Sequence, residues 1–161
     1  MSKKWTAFAF ALLLVACSGD VGAGKPSDEG VIAAWVEQLK AEAKAKEDHA
    51  KESDVAVGPV LREGLKVTIP WTAKCQRGNF TGTMVLTVTD VKIIPVPESS
   101  MQPYRATITA TKTKEETGSC PETYEFRLPV DRGGCSSWSA ETKTWGKFQQ
   151  QQSAACMLRN G

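Results

Sequence analysis

The chain has 161 residues, of which 41% are apolar and 24% charged, enough for one hydrophobic core of ordinary domain size and too little for a second. Twenty Lys and Arg face 18 Asp and Glu, a formal net charge of +2. A near-neutral chain with both signs mixed along it lacks the basic footprint of a nucleic-acid-binding protein.

In chain order, the first element is a signal. Lys3 and Lys4 give a positive start, and Trp5 to Ala16 follows without a charge and ends in small residues. That layout is a secretory signal, and the run is shorter than the roughly 20 residues a membrane-spanning helix needs. Leu14-Val15-Ala16-Cys17 resembles the lipobox of bacterial lipoproteins, where a signal peptidase cuts before a cysteine whose thiol carries diacylglycerol. The resemblance covers residues 1 to 18. It implies lipid on Cys17, further acylation of the new amino terminus, and a mature protein held to a membrane, because several acyl chains on one residue bind stably. Ser18 instead of aspartate after that cysteine implies, in this family, the outer membrane facing the periplasm. The alternative is an ordinary signal and a secreted protein with a free Cys17. Cysteine parity argues against it, since lipidation of Cys17 leaves an even set, Cys75, Cys120, Cys135 and Cys156. Cleavage also removes Lys3 and Lys4 of the 20 basic residues and no acid, leaving 18 against 18.

The expected division is a signal peptide at 1–16, a lipidated cysteine with a Gly- and Ser-rich flexible tether at 17–27, and a single domain at 28–161. Asp28 is the expected cap of a helix whose apolar positions Ile32, Trp35, Val36, Leu39 and Ala43 recur at helical spacing. Beyond Leu39 the large apolar residues stop. The charged continuation from Lys40 to Glu52 is expected to project into water, supported by pairs such as Glu42 with Lys46 and Glu47 with Lys51.

From Leu65 the period changes to two. Leu65, Val67, Ile69 and Trp71 share one face, and the alternation recurs in Phe80, Met84, Leu86 and Val88, in Tyr104, Ala106, Ile108 and Ala110, and in Tyr124, Phe126, Leu128 and Val130. The opposite faces are rich in Thr, Lys, Arg and Glu. Four one-sided strands joined by turn-rich stretches predict an antiparallel meander with the helix covering its apolar face. Four cysteines allow three connectivities, and in such a meander Cys75, after the first strand, and Cys120, before the fourth, lie at the same end and are expected to pair. Cys135 follows the fourth strand at the other end, with Cys156 as its partner. The final stretch offers one candidate strand near Thr142 to Phe148. Trp138, Trp145 and Phe148 there are expected to be half-buried beneath the tail, Gln149 to Gln152 to form a loop or strand edge, and Trp35 and Trp71 to belong to the core.

The fold class expected is therefore α+β, one amino-terminal helix packed on a four- to five-stranded antiparallel sheet, disulfide-stapled. The outline is similar to cystatin-like and related small envelope lipoprotein domains, scaffolds that host unrelated activities. No GxSxG elbow, HExxH helix or phosphate-cradling glycine loop occurs, and no cysteine pair has CxxC spacing. His49 stands alone in the charged part of the helix and reads as a surface residue rather than a metal ligand. Glu122 and Glu125 flank an apolar segment, with Glu125 on its solvent face, so a carboxylate hydrolase is the weakest reading. Neither catalytic residues, cofactor nor metal are expected. The functional expectation is a membrane-anchored, non-enzymatic binding module of the envelope with a protein partner there, such as an inhibitor or immunity protein against a periplasmic enzyme. A structural or assembly lipoprotein of the outer membrane is the alternative.

Overall fold

The structure, a computed structural model, describes residues 25–49, 55–75, 78–118, 126–153 and Cys156. The signal segment, Cys17, Cys120, Glu122, Tyr124 and Glu125 lie outside the described residues, as do the side chains of His49 and Cys75.

One long helix, α1 (Asp28–His49), opens the domain. Its cap is Ser27 rather than Asp28: the Ser27 hydroxyl accepts from the Gly30 amide at 3.1 Å, and its carbonyl accepts the first helical bond from Val31. Ser27, expected in the flexible tether, is thus part of the domain. Asp28 and Glu29 occupy the first turn, where carboxylates complement the helix dipole. Val31, Ile32, Trp35, Val36, Leu39 and Ala43 are all buried, the predicted stripe with Val31 added. The expected Glu42–Lys46 pair does not form. Glu42 instead turns toward the domain, accepting from the Gln38 side-chain amide at 2.8 Å and the Val130 backbone amide at 3.4 Å.

Seven antiparallel strands, more than the four or five expected, form one curled sheet among the described residues. They are β1 (Val55–Val57), β2 (Leu61–Glu63), β3 (Lys66–Cys75), β4 (Gly78–Pro95), β5 (Tyr104–Gly118), β6 (Gly133–Ser139) and β7 (Thr144–Trp145). Their order is β1-β3-β4-β5-β6-β7, with β2 on the other half of β3's outer edge. β1 and β2 are separated at that edge by Gly58 and Pro59, where the Gly58 amide bonds to the Pro70 carbonyl at 2.8 Å. A short, broken edge containing proline offers little template for another strand. Leu65 does not join the apolar face. It sits with Gly64 (φ 58°) in the tight turn between β2 and β3 and is 53% exposed.

The β3–β4–β5 meander follows the predicted phase: Val67, Ile69, Trp71 and Ala73, then Met84, Leu86 and Val88, then Ala106, Ile108 and Ala110 point into the core. The β4–β5 register runs from Phe80 opposite Gly118 to Pro95 opposite Tyr104, with a bulge between Val88 and Asp90. One extra residue in β4 switches its inward phase, so Ile93 replaces the even-numbered positions while β5 keeps its own phase throughout.

The predicted fourth strand is not a strand over its described part. Phe126, Leu128 and Val130 are buried and Arg127 and Pro129 exposed, yet residues 126–128 are not among the strands of the sheet. The segment is held between sheet and helix. Phe126 stacks on Trp71 at 5.3 Å with 17° between the planes, and Trp35 Nε1 donates to the Val130 carbonyl at 2.9 Å. Period-two burial reports a chain with one wet side, and only a partner edge makes it a strand.

The place beside β5 is taken by β6, whose sequence GGCSSWS reads as loop. Its glycines are there for close approach: a Cβ on Gly133 (φ 99°) would stand 2.0 Å from the Ile108 carbonyl oxygen, and one on Gly134 2.3 Å from that of Gln149. Cys135, expected after a strand, lies within β6 and is bonded to Cys156, with Cα atoms 5.8 Å apart. The predicted Cys135–Cys156 bridge thus forms in a setting other than the one it was reasoned from. Cys135 and Gln149 also exchange backbone bonds of 2.8 and 2.9 Å, placing the glutamine run at a strand edge. Gln38 grips the tail at Phe148, accepting from its amide at 2.6 Å and donating to its carbonyl at 3.0 Å. Phe148 is fully buried, whereas Trp138 and Trp145 are half-buried and meet edge to face at 5.3 Å.

Candidate functional site

The two faces of the β3–β5 sheet have opposite chemistry. The inner face is mostly apolar and covered by α1 and by residues 126–130. The outer face carries Thr68, Pro70 and Thr72 on β3, Thr81, Thr83, Val85 and Thr87 on β4, and Thr111, Thr113, Glu115 and Thr117 on β5. Threonine suits this setting because its branched Cβ favours extended backbone while its hydroxyl tolerates water. Register then sets the pattern: Thr72 stands opposite Thr81, Thr81 opposite Thr117 and Thr87 opposite Thr111.

Curling of the sheet turns part of this face into an open trough of about 510 Å³, lined by Ala56, Gly58, Pro70, Thr72, Thr83, Glu115 and their strand neighbours. Pairing of Gly82 with Trp71 has a structural cause on the other face, where a Cβ at Gly82 would meet the indole at 2.4 Å. Within the trough the Thr81 and Thr117 hydroxyls bond each other at 2.7 Å. Farther along, the hydroxyls of Thr111 and Thr113 turn to the carbonyls of Thr87 and Val85, leaving their methyl groups on the surface. Among the described residues, Glu115 is the sole ionisable side chain lining the trough. The arrangement can offer hydroxyls, methyl groups and one carboxylate to a ligand laid across the strands.

A second polar cluster lies on the inner face. Following β5 inward past Ala110, the next position is Lys112, whose ammonium group meets Asp131 at 2.5 Å with 7% and 10% of the two side chains exposed. Asp131 Oδ2 also accepts the Leu128 amide at 3.2 Å, closing the turn that precedes β6. Glu42 faces the same turn through Val130, and burial raises its carboxyl group above the ordinary value, partly offset by the Gln38 and Val130 hydrogen bonds. Sequence reasoning missed this cluster. Carrying the inward phase of β5 two residues past Ala110 would have found Lys112.

Of the residues singled out from sequence, Cys135 and Cys156 are brought together. Cys17 and Cys120 fall outside the described residues, and of Cys75 only the backbone, at the end of β3, is described. Among the described residues, no group of three or more His, Cys, Asp and Glu is placed to hold a metal ion, and no helix is long and apolar enough to cross a membrane. No known protein family, curated protein or solved structure matches the chain.

Proposed function

We propose that this chain is a lipoprotein of the bacterial envelope, anchored through lipid on Cys17, whose domain is a non-enzymatic binding module for an envelope protein. An inhibitor or immunity protein that neutralises a periplasmic enzyme is the form this takes, with the outer membrane facing the periplasm as its location. The lipobox and cysteine parity support the anchor. The observation that carries the binding role is the threonine trough, which is broad, shallow, open and rigidly backed by three long paired strands. Such a surface suits an extended partner surface rather than a small molecule, which concave apolar pockets enclose.

Affinity capture from an envelope fraction tests this, comparing the native chain with Thr72→Arg, a substitution at an exposed trough position that leaves the core untouched. The native chain is expected to retain one protein at near-equal stoichiometry, and Thr72→Arg to weaken that retention at least about tenfold, equivalent to about 1.4 kcal/mol. Absence of any stoichiometric partner, or equal capture by both forms, refutes the proposal.

The alternative, a structural or assembly lipoprotein, draws on the exposed last turns of α1, where Lys44, Lys46, Glu47 and Asp48 stand in solvent beside a groove closed by Pro59. Unchanged envelope permeability and outer-membrane protein levels after gene deletion would argue against it.

A further inference from the structure

The exposed large apolar side chains of the described residues are gathered at one end of the domain. They are Leu61, Leu65, Ile94 and Met101, between 43% and 73% exposed. Strand direction puts them together: β2 pairs with the first residues of β3, and Leu65 lies in the turn before β3. Ile94 is one residue from the end of β4, and Met101 lies in the loop that leads into β5. The opposite end, at Cys75, Gly78 and Gly118, exposes none among the described residues. Single apolar side chains scattered over a surface need no explanation, but a group of them marks a contact. The loops that carry them are held in place. Arg62 donates twice to Glu29, at 2.7 Å each, and once to the Gly64 carbonyl at 2.8 Å, which fixes the β2–β3 turn to the first turn of α1. The Ala140 amide donates to the Met101 carbonyl at 2.9 Å, tying the β4–β5 loop to the β6–β7 turn. Half-buried Tyr104, Trp138 and Trp145 lie behind this rim, the ring types that settle at membrane–water interfaces.

We propose that this end of the domain rests on the bilayer, with Leu61, Leu65, Ile94 and Met101 entering its interface and the threonine trough held away from it. This docking rests on the reading that lipid on Cys17 anchors the chain. What argues for a bilayer as the occupant is where the anchor joins. α1 begins at this same end, and Ser27, its cap, is ten residues from Cys17. Ten residues span at most about 33–36 Å when fully extended. The 22 residues of α1 rise about 1.5 Å each, roughly 33 Å in all. Inverting the domain would lift the helix start above the bilayer by about that length and would need the link drawn almost straight. Docking at the helix start needs no such extension. Tethering also lets a weak contact suffice, because an already anchored molecule makes its second contact at high effective concentration. Glu63, Glu98 and Glu141 stand exposed among Lys66 and Lys143, so the end has no cationic patch for anionic lipid and the attraction is apolar. The trough occupies the other half of the sheet. Thr72 is six residues beyond Lys66 along β3, about 20 Å at roughly 3.3 Å per residue. Docking therefore turns the trough away from the membrane, open to a partner.

To test this, the full-length exported chain is reconstituted into phosphatidylcholine vesicles, which carry no net charge, and its lysines are labelled with a membrane-impermeant amine reagent and read by peptide mass. Lys66 and Lys143 report the apolar end, Lys46 and Lys74 the rest of the surface, and the buried Lys112 reports folding. The comparison is a chain carrying both Leu65→Asp and Met101→Asp, two exposed positions outside the core. Relative to Lys46 and Lys74, labelling at Lys66 and Lys143 should be at least about fivefold slower in the native chain than in that variant, the protection given when roughly four-fifths of the molecules are docked. Both forms should float with the vesicles, carry lipid mass at Cys17 and leave Lys112 unlabelled. Equal labelling in the two forms, with both floating, overturns the docking while the anchor stands. Protection that appears only after an envelope protein fraction is added overturns it too, and makes this end a protein-binding surface. An unlipidated chain overturns the anchor and the docking with it.

Discussion

Replacing Phe126 by alanine tests whether the segment read from sequence as a strand is in fact a core element. The ring is fully buried and stacks on Trp71. Returning a buried Phe side chain to water forfeits about 1.5–3 kcal/mol. Loss of the aromatic pair adds roughly 0.5–1.5 kcal/mol, and the unfilled space beneath Trp71 adds a cavity cost, for a total of about 3–5 kcal/mol. Against the roughly 5–15 kcal/mol that holds a typical domain together, that is from about a fifth of the stability upward. Urea unfolding followed by tryptophan fluorescence measures it, since Trp71 reports directly on the site. The expected result is a lower midpoint at unchanged slope, with Phe126→Leu falling between alanine and the native chain. A loss below about 1 kcal/mol for Phe126→Ala would refute the assignment, because only a partly exposed ring is that cheap to remove.

Two further outcomes follow from the geometry. Gly133→Ala places a Cβ 2.0 Å from the Ile108 carbonyl at a positive φ, so the β5–β6 pairing must open. Thermal unfolding should drop by well over the roughly 4 °C that about 1 kcal/mol produces in a domain of this size, and proteolysis should first cut between β6 and the tail. Glu42 has a carboxyl group raised above its ordinary 4.5 by burial, so the folded state binds its proton more tightly than the unfolded chain does. Its contribution is therefore fully present at and below 4.5 and lost as pH rises through the raised value. The native chain should gain stability relative to Glu42→Gln on acidification across that window, and a pH-independent difference between the two would show that Glu42 does not titrate there.

Much of the framework was legible in sequence because burial imposes a period. The helix stripe from Ile32 to Ala43 and the inward residues of β3, β4 and β5 emerged at the right phase. Hydrogen-bond partnership has no such signature. Phe126, Leu128 and Val130 alternate as a strand does, while the glycines of β6 look like a loop. β1 and β2 are three residues each, too short for alternation to stand out. The bulge at Thr89 shifts β4's phase, which hides Ile93 from a pattern begun at Phe80. For the candidate site, threonine at alternate positions was readable as a solvent face. Its organisation as opposed pairs and a trough depends on register and curl, which no single strand encodes. The Lys112–Asp131 cluster needed both the phase of β5 and the path of a segment outside the sheet.

The ties between α1 and the far end of the chain set a timetable for folding. Trp35 waits for the carbonyl of Val130 and Gln38 for the backbone of Phe148, so the first element made is also the one completed last. A chain emerging from the ribosome can lay the apolar stripe of this helix against β1, β4 and β5, but it cannot complete the cover until the tail has been made. The domain cannot finish closing before that tail exists, which leaves an interval in which the polypeptide can be threaded or handed to a chaperone.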